Sequence, residues 1–185
     1  MHRVMTLIIV IAIVAVLVLW VVSIQNKLVK SDEICNNALK QINVQQMSRY
    51  DALKALVKLT REYAAHEADA FQKVVEGRKI TSSPAPTAAE INANEQALQA
   101  MSAKLIAVAE AYPELKANTT YQQTMTDVKA YEENVRLSRM TFNDTVTRFN
   151  QQVRVFPASV IAGMLGFNKR DYLADDVSKA EFPDF

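Results

Sequence analysis

The residues of this chain best suited to chemistry are few, and each lacks the neighbour its chemistry would need. His66 opens the run HEADA, which starts like the His-Glu-x-x-His helix of zinc peptidases, but Ala70 stands where the second imidazole must be. The other histidine, His2, precedes a long apolar run, so no imidazole pair is available to a metal, and His66 reads as a hydrogen-bonding residue. Cys35 lies in DEICNNAL beside acids, which raise a thiol pKa, so a buried and inert side chain is the better reading. As a single cysteine it forms no internal disulfide and leaves the redox compartment open. The paired carboxylates Asp32 with Glu33 and Asp175 with Asp176, and the ending AEFPDF, look like solvated faces and termini. A di-iron bundle would need Glu-x-x-His on two helices, and none occurs. Gly-rich phosphate loops, Gly-x-Ser-x-Gly and Cys-x-x-Cys are likewise missing. The expectation is a protein without catalytic residues, cofactor or metal.

Two other charged residues, Glu132 and Arg139, attract notice through the element that must carry them. From Thr119 onward the apolar residues Tyr121, Met125, Val128, Val135, Phe142, Val146, Phe149, Val153 and Phe156 recur in steps of four and three once Glu132 and Arg139 fill the gaps. Burying an unpaired charge costs several kcal/mol, roughly 3–5 when one partner of a buried pair is lost, so both positions demand partners on facing helices. Arg49 is a candidate for Glu132.

Near the start of the chain, Val4 to Ile24 contains no charge, proline or glycine, and at about 1.5 Å per residue it crosses a hydrocarbon core of roughly 30 Å. No Ala-x-Ala site or lipobox cysteine follows it, so it reads as an uncleaved anchor with Trp20 near one interface. Arg3 precedes the span while Lys27, Lys30 and Lys40 follow it, which leans toward a cytoplasmic main domain. The body carries scattered, nearly balanced charge, 21 basic against 20 acidic residues, which argues against nucleic acid as a partner. With three glycines and five prolines in the whole chain, long helices are expected.

The first of these helices is read over 27–76, with Leu39, Ile42, Tyr50, Leu53, Val57, Ala64, Ala68, Phe71 and Val75 as its stripe. Gly77, Pro84 and Pro86 mark a loop over 77–87, and Thr87 with Glu90 forms a capping box for the next helix. That helix carries Ile91, Asn94, Leu98, Met101, Leu105, Val108 and Tyr112, flanked by Ala97, Ala100, Ala103 and Ala107, and ends at Pro113. After the short turn PELKAN, Asn118 or Thr119 caps the third helix, Gln122 completing a box from Thr119. Short connections imply that the first helix leaves the membrane, the second returns and the third leaves again. The segment FPASVIAGMLGF would then sit at the pole away from the bilayer, started by Pro157 and stopped by Gly166. Its Val160, Ile161, Met164, Leu165 and Phe167 need a cover: the bundle's open end, another subunit, or lipid. Because no Lys or Arg precedes Lys169 and Arg170 there, electrostatic recruitment to a membrane would be modest. The domain reading is a flank at 1–3, a span at 4–24, a bundle at 25–167 and a tail at 168–185.

NKLVKSDE, REYAAHE, AYPELKAN, the third-helix set Glu132, Arg139, Phe142-Asn143 and Phe149-Asn150, and FPASVIAGMLGF followed by Tyr172 together resemble the LemA family of bacterial membrane proteins, which includes a MamQ-like magnetosome branch. The chain departs from the family at RYDALKALV, where members usually show Arg-x-x-Leu-Ile-Pro-Asn-Leu-Val. The resemblance implies an all-α protein, with a single N-terminal transmembrane helix and then a long antiparallel helical bundle of three long helices and a short C-terminal one, anchored in the bacterial inner membrane. It implies no enzymatic activity and a role in envelope organisation. Glu132, Arg139, Asn143 and Asn150 match the family's polar third-helix positions, and Phe156, Pro157, Gly166 and Phe167 its C-terminal motif; with Ile161 and Leu165 these are assigned to packing and assembly. The expected function is a self-associating envelope scaffold whose partners are the lipid bilayer and copies of itself. The alternative is an adaptor docking a partner membrane protein such as a membrane protease.

Overall fold

The computed structural model describes residues 2–64 and 83–174, and its described residues form helices with no strand. Helix α1 spans His2–Thr60 without a break, as a stretch free of proline and glycine allows. Beyond the apolar run, its buried stripe is Leu28, Cys35, Leu39, Ile42, Gln46, Arg49, Leu53, Leu56 and Thr60, spaced by threes and fours from Cys35 on and including the polar Gln46, Arg49 and Thr60. The expected Tyr50 and Val57 lie on its border, half-buried. The helix stops at Thr60 rather than 76. No breaker residue is present; the Thr60 hydroxyl donates to the Leu56 carbonyl and the turn tightens through Tyr63 N–H to the Thr60 carbonyl. Buried Ala64, and the Tyr63 hydroxyl accepting a bond from Asn118 Nδ2 at 2.9 Å, hold the chain there by tertiary contact. His66, Ala68, Phe71, Val75, most of the expected loop and the acidic ending lie outside the described residues.

Helix α2, Ala88–Ala111, opens on the expected capping box: Glu90 N–H donates to Thr87 Oγ1 at 3.2 Å and Thr87 N–H to Glu90 Oε2 at 2.7 Å. Pro113 begins the five-residue α3, Pro113–Ala117, which buries Leu115. Helix α4, Thr119–Arg154, is capped by Asn118, whose Oδ1 accepts from Tyr121 N–H at 3.0 Å. Gln122 turns instead to the Lys116 carbonyl, so the box from Thr119 is not built. Helix α5, Ala158–Leu165, ends in left-handed Gly166, with Phe167 N–H bonded to the Ala162 carbonyl and Gly166 N–H to that of Gly163. This double bond pattern is a Schellman stop, and the positive φ of 78° explains the glycine.

Contacts group the described residues into two units, 2–36 with 143–171, and 37–64 and 83–142 with 172–174. In the larger unit α2 runs parallel to α1: Asn43 reaches Ser83, Gln46 reaches Ile91, and Arg49 reaches both Glu95 and Ser102. Helix α4 runs against α2, with Tyr121 bonded to Leu105 and Arg139 to Asn92. Leu53, Leu56, Leu98, Met101, Leu105, Leu115, Tyr121 and Val128 close the core. In the smaller unit α4 is antiparallel to α1, since Thr145 bonds Cys35 while Gln152 accepts from Ser31.

The order of directions therefore corrects the expectation. The connection into α2 is not short: residues 65–87 reach roughly 75 Å when extended, about twice the ~36 Å rise of the 24-residue α2. The chain can thus return before α2 begins, and it is α4 that comes back. Val155, Phe156 and Pro157 accordingly share a groove with Trp20, Ile24 and Leu28 at the end of the apolar run, not at the opposite pole.

Candidate functional site

Two polar centres hold the helices together, one in each unit. In the larger, the α1 stripe places Arg49 in the interior with 1% of its side chain exposed. Its guanidinium donates to Glu95 Oε1 at 2.8 Å, to Ser102 Oγ at 3.2 Å and to Glu132 Oε2 at 3.5 Å. Gln46 Nε2 donates to Glu95 Oε2 at 3.1 Å and to the Ile91 carbonyl at 3.0 Å. The expected Arg49–Glu132 contact is present but secondary: Glu95 is the short, buried partner, while Glu132 is about one-third exposed. Arg139 bonds Asn92 Oδ1 at 3.0 Å and the Ala174 carbonyl, tying α4 to α2 and to the segment beyond α5.

The smaller unit is organised by Arg170. Its Nε donates to Asp32 Oδ1 and its guanidinium also to Asn36 Oδ1, both at 2.8 Å. Asn150, buried on α4, clamps the backbone of the same residue, accepting from Arg170 N–H and donating to its carbonyl, each at 2.9 Å. The Arg170 guanidinium lies 5.8 Å from the centre of the Phe149 ring, which meets Phe167 edge-on at 6.4 Å. Residues 167–170 are thus fastened to α1 and α4.

Of the residues assigned to packing and assembly, Asn150 and Ile161 are buried, Phe167 meets the Phe149 ring edge-on, Glu132 lies 3.5 Å from Arg49 and Arg139 bonds Asn92. Asn143 is half-buried and its carbonyl accepts from Thr147 within α4. Phe156 and Leu165 are exposed, and Gly166 serves the helix stop. Pro157, joined to Phe156 by a cis peptide, is the N-cap residue of α5. Glu95, Gln46 and Arg170 were not anticipated. The α1 spacing runs through Gln46 and Arg49 and was a readable signal for a polar centre; nothing local in the sequence points to Arg170.

Chemically, both centres hold rather than react. Ser102 Oγ donates to the Leu98 carbonyl while accepting from Arg49, so no base is poised to activate it. Burial pushes the Cys35 thiol above its ordinary value, with Asp32 adding to the rise against the bond from Thr145, which keeps it protonated and poor as a nucleophile or ligand. Among the described residues no group of His, Cys, Asp and Glu could hold a metal ion.

A sequence model of the LemA family matches residues 38–184, most of the chain and nearly everything beyond the apolar run. The chain belongs to the LemA family. This LemA-family protein is also similar to Magnetosome protein MamQ 2 and Magnetosome protein MamQ 1 of Paramagnetospirillum magneticum, each 26% identical over 72 residues, 39% of this chain. The matched region is 26% of each relative's length. Family membership, with the 18-residue windows of α1 apolar enough to cross a bilayer, makes this LemA-family chain a membrane-anchored protein.

Proposed function

We propose that this protein is a non-enzymatic scaffold of the bacterial cell envelope that self-associates in the plane of the inner membrane, its main domain on the cytoplasmic side. One observation carries the reading: the charged groups of the Arg49 centre are paired with one another, while apolar side chains remain on the flanks. Arg49, Glu95, Ser102 and Glu132 close on themselves, yet Leu137 and Met140, three residues apart on one face of α4, are each about half exposed. Anchoring confines copies to two dimensions and raises their effective concentration, so a small apolar patch of this kind suffices for association. The excess of lysine after the span supports the cytoplasmic placement.

Mass photometry of the full chain in several mild detergents and in lipid nanodiscs tests this. Oligomers that shrink on Leu137→Glu with Met140→Glu are expected; a monodisperse monomer throughout would contradict it. Crosslinking in native membranes that traps a different protein at near-stoichiometric level, with no ladder of the chain itself, would favour the adaptor role instead.

A further inference from the structure

Apart from Ser159, helix α5 carries only apolar residues, yet only one side of it is covered. Ile161 and Ala162 are buried, whereas Phe156 just before it is 78% exposed, Met164 is 83% exposed, and Val160, four residues from each, is also open. Val155 and Leu165 widen the same uncovered surface. A helix face of large apolar side chains belongs against a core or in a membrane, and the described part of the chain supplies no core on this side.

Its position says which. Val155, Phe156 and Pro157 line one groove with Trp20 and Ile24, the last turn of the apolar run, and with Lys27, the first cation after it. Trp20 marks the depth at which hydrocarbon gives way to headgroups, and Lys27 with Arg148 on the groove's rim can reach lipid phosphates while their stems stay among apolar groups. Phe156 is therefore held, within a single packed unit, at the level where α1 leaves the bilayer.

We propose that α5, with Val155 and Phe156 before it, is a second membrane contact: an interfacial helix whose Phe156, Val160 and Met164 face enters the same leaflet from which α1 emerges. It lies in the plane of the interface, seated about 5–10 Å into the headgroup and acyl boundary in the manner of monotopic helices. The lipid it meets is ordinary bilayer lipid, held by apolar contact and assisted by the basic rim. The consequence is mechanical: with two contacts instead of one, the helices packed on α1 cannot swivel freely about the span. This inference rests on α1 crossing the membrane and is independent of self-association.

The anchor alone keeps the protein in vesicles, so flotation says nothing; depth must be measured. The full chain, in a Cys35→Ser background, is reconstituted in vesicles of phosphatidylethanolamine and phosphatidylglycerol. A single environment-sensitive fluorophore is placed at Phe156→Cys, Val160→Cys or Met164→Cys, with Val14→Cys inside the span and Lys116→Cys on exposed α3 as references. Labels at 156, 160 and 164 should be quenched several-fold more by lipids brominated near the headgroup than the label at 116, and be shielded from aqueous iodide. Quenching of these labels by iodide to the same degree as at 116 would overturn the proposal. So would labels shielded from both quenchers, which would place a second copy or another protein on this face. If the label at Val14 also escapes lipid quenching, the span itself fails and takes this inference with it, a result distinguishable from the loss of α5 contact alone. Replacing Val160 and Met164 by aspartate should restore iodide quenching at 156 while leaving Val14 lipid-exposed.

Discussion

Arg49 is the side chain whose loss should report most sharply on the interior. With 1% of its side chain exposed and a 2.8 Å bond to a carboxylate that is itself only 9% exposed, it is one half of a desolvated pair. Breaking such a pair by removing one partner costs about 3–5 kcal/mol, mainly because the remaining charge is stranded. Arg49→Met keeps most of the volume and strands Glu95; because Gln46 and Gln99 still donate to that carboxylate, the loss belongs at the lower end, about 3 kcal/mol. Glu95→Leu strands Arg49, with Glu132 at 3.5 Å as partial relief. The double change removes both charges, so the cycle should show a coupling of about 2 to 3 kcal/mol, the double variant being far more stable than the sum of the single losses. Glu132→Gln alone should cost about 1 kcal/mol or less, since its carboxylate is one-third exposed and its bond is long. Urea unfolding of the full chain in micelles, followed by circular dichroism, measures all four. Additive single losses, or an Arg49→Met cost as small as that of Glu132→Gln, would refute the idea that Glu95 is the main partner of Arg49.

Other outcomes follow from the remaining packing. Phe149→Ala removes a ring only 1% exposed that touches Phe167 and Arg170, and should cost about 3–5 kcal/mol in the same assay. Arg170→Ala should cost about 2 kcal/mol and expose the backbone of residues 168–171 to hydrogen exchange, because its bonds to Asp32 and Asn36 and the stacking on Phe149 go together. Burial raises the Tyr121 phenol above its ordinary 10.0, so the neutral form favours the fold; that stability is complete below about pH 10 and is lost as pH rises through the higher folded value. A steeper fall in stability above pH 10 in the natural chain than in Tyr121→Phe would show it. The Cys35 thiol, raised above 9.0 by burial, should resist maleimide in the folded chain at neutral pH and react on unfolding.

Much of the helical order was legible because it is written locally. The spacing of Ile91, Leu98, Met101 and Leu105, the box of Thr87 and Glu90, and the stop at Gly166 depend on residues within a few positions of one another. The charged positions of α4 were legible too, since a three-and-four pattern interrupted by Glu132 and Arg139 demands partners. Helix direction was not, because it turns on how far the chain travels between Ala64 and Ala88, and length alone does not say whether a segment turns back at once or crosses over. Assigning Phe156 to the seam failed for a related reason: the period continues past Arg154, but the helix ends there, and the residue comes to lie 78% exposed. Arg170 is recognised only when Asp32 and Asn36 of α1 and Asn150 of α4 are seen around it, residues brought to it from two distant parts of the chain.

The return of α4 toward the membrane end of α1 carries the rest of this account, and one crosslink tests it most directly. Ser31 Oγ donates to Gln152 Oε1 at 2.9 Å, so Ser31→Cys with Gln152→Cys, in a Cys35→Ser background, places two thiols on facing helices beside the span. A short bis-maleimide added to membranes holding the full chain should join them within one molecule, giving a faster-migrating band and no dimer. Failure to crosslink, alongside ready crosslinking of Gln152→Cys to Arg61→Cys just past the far end of α1, would place the end of α4 at the opposite pole and contradict it.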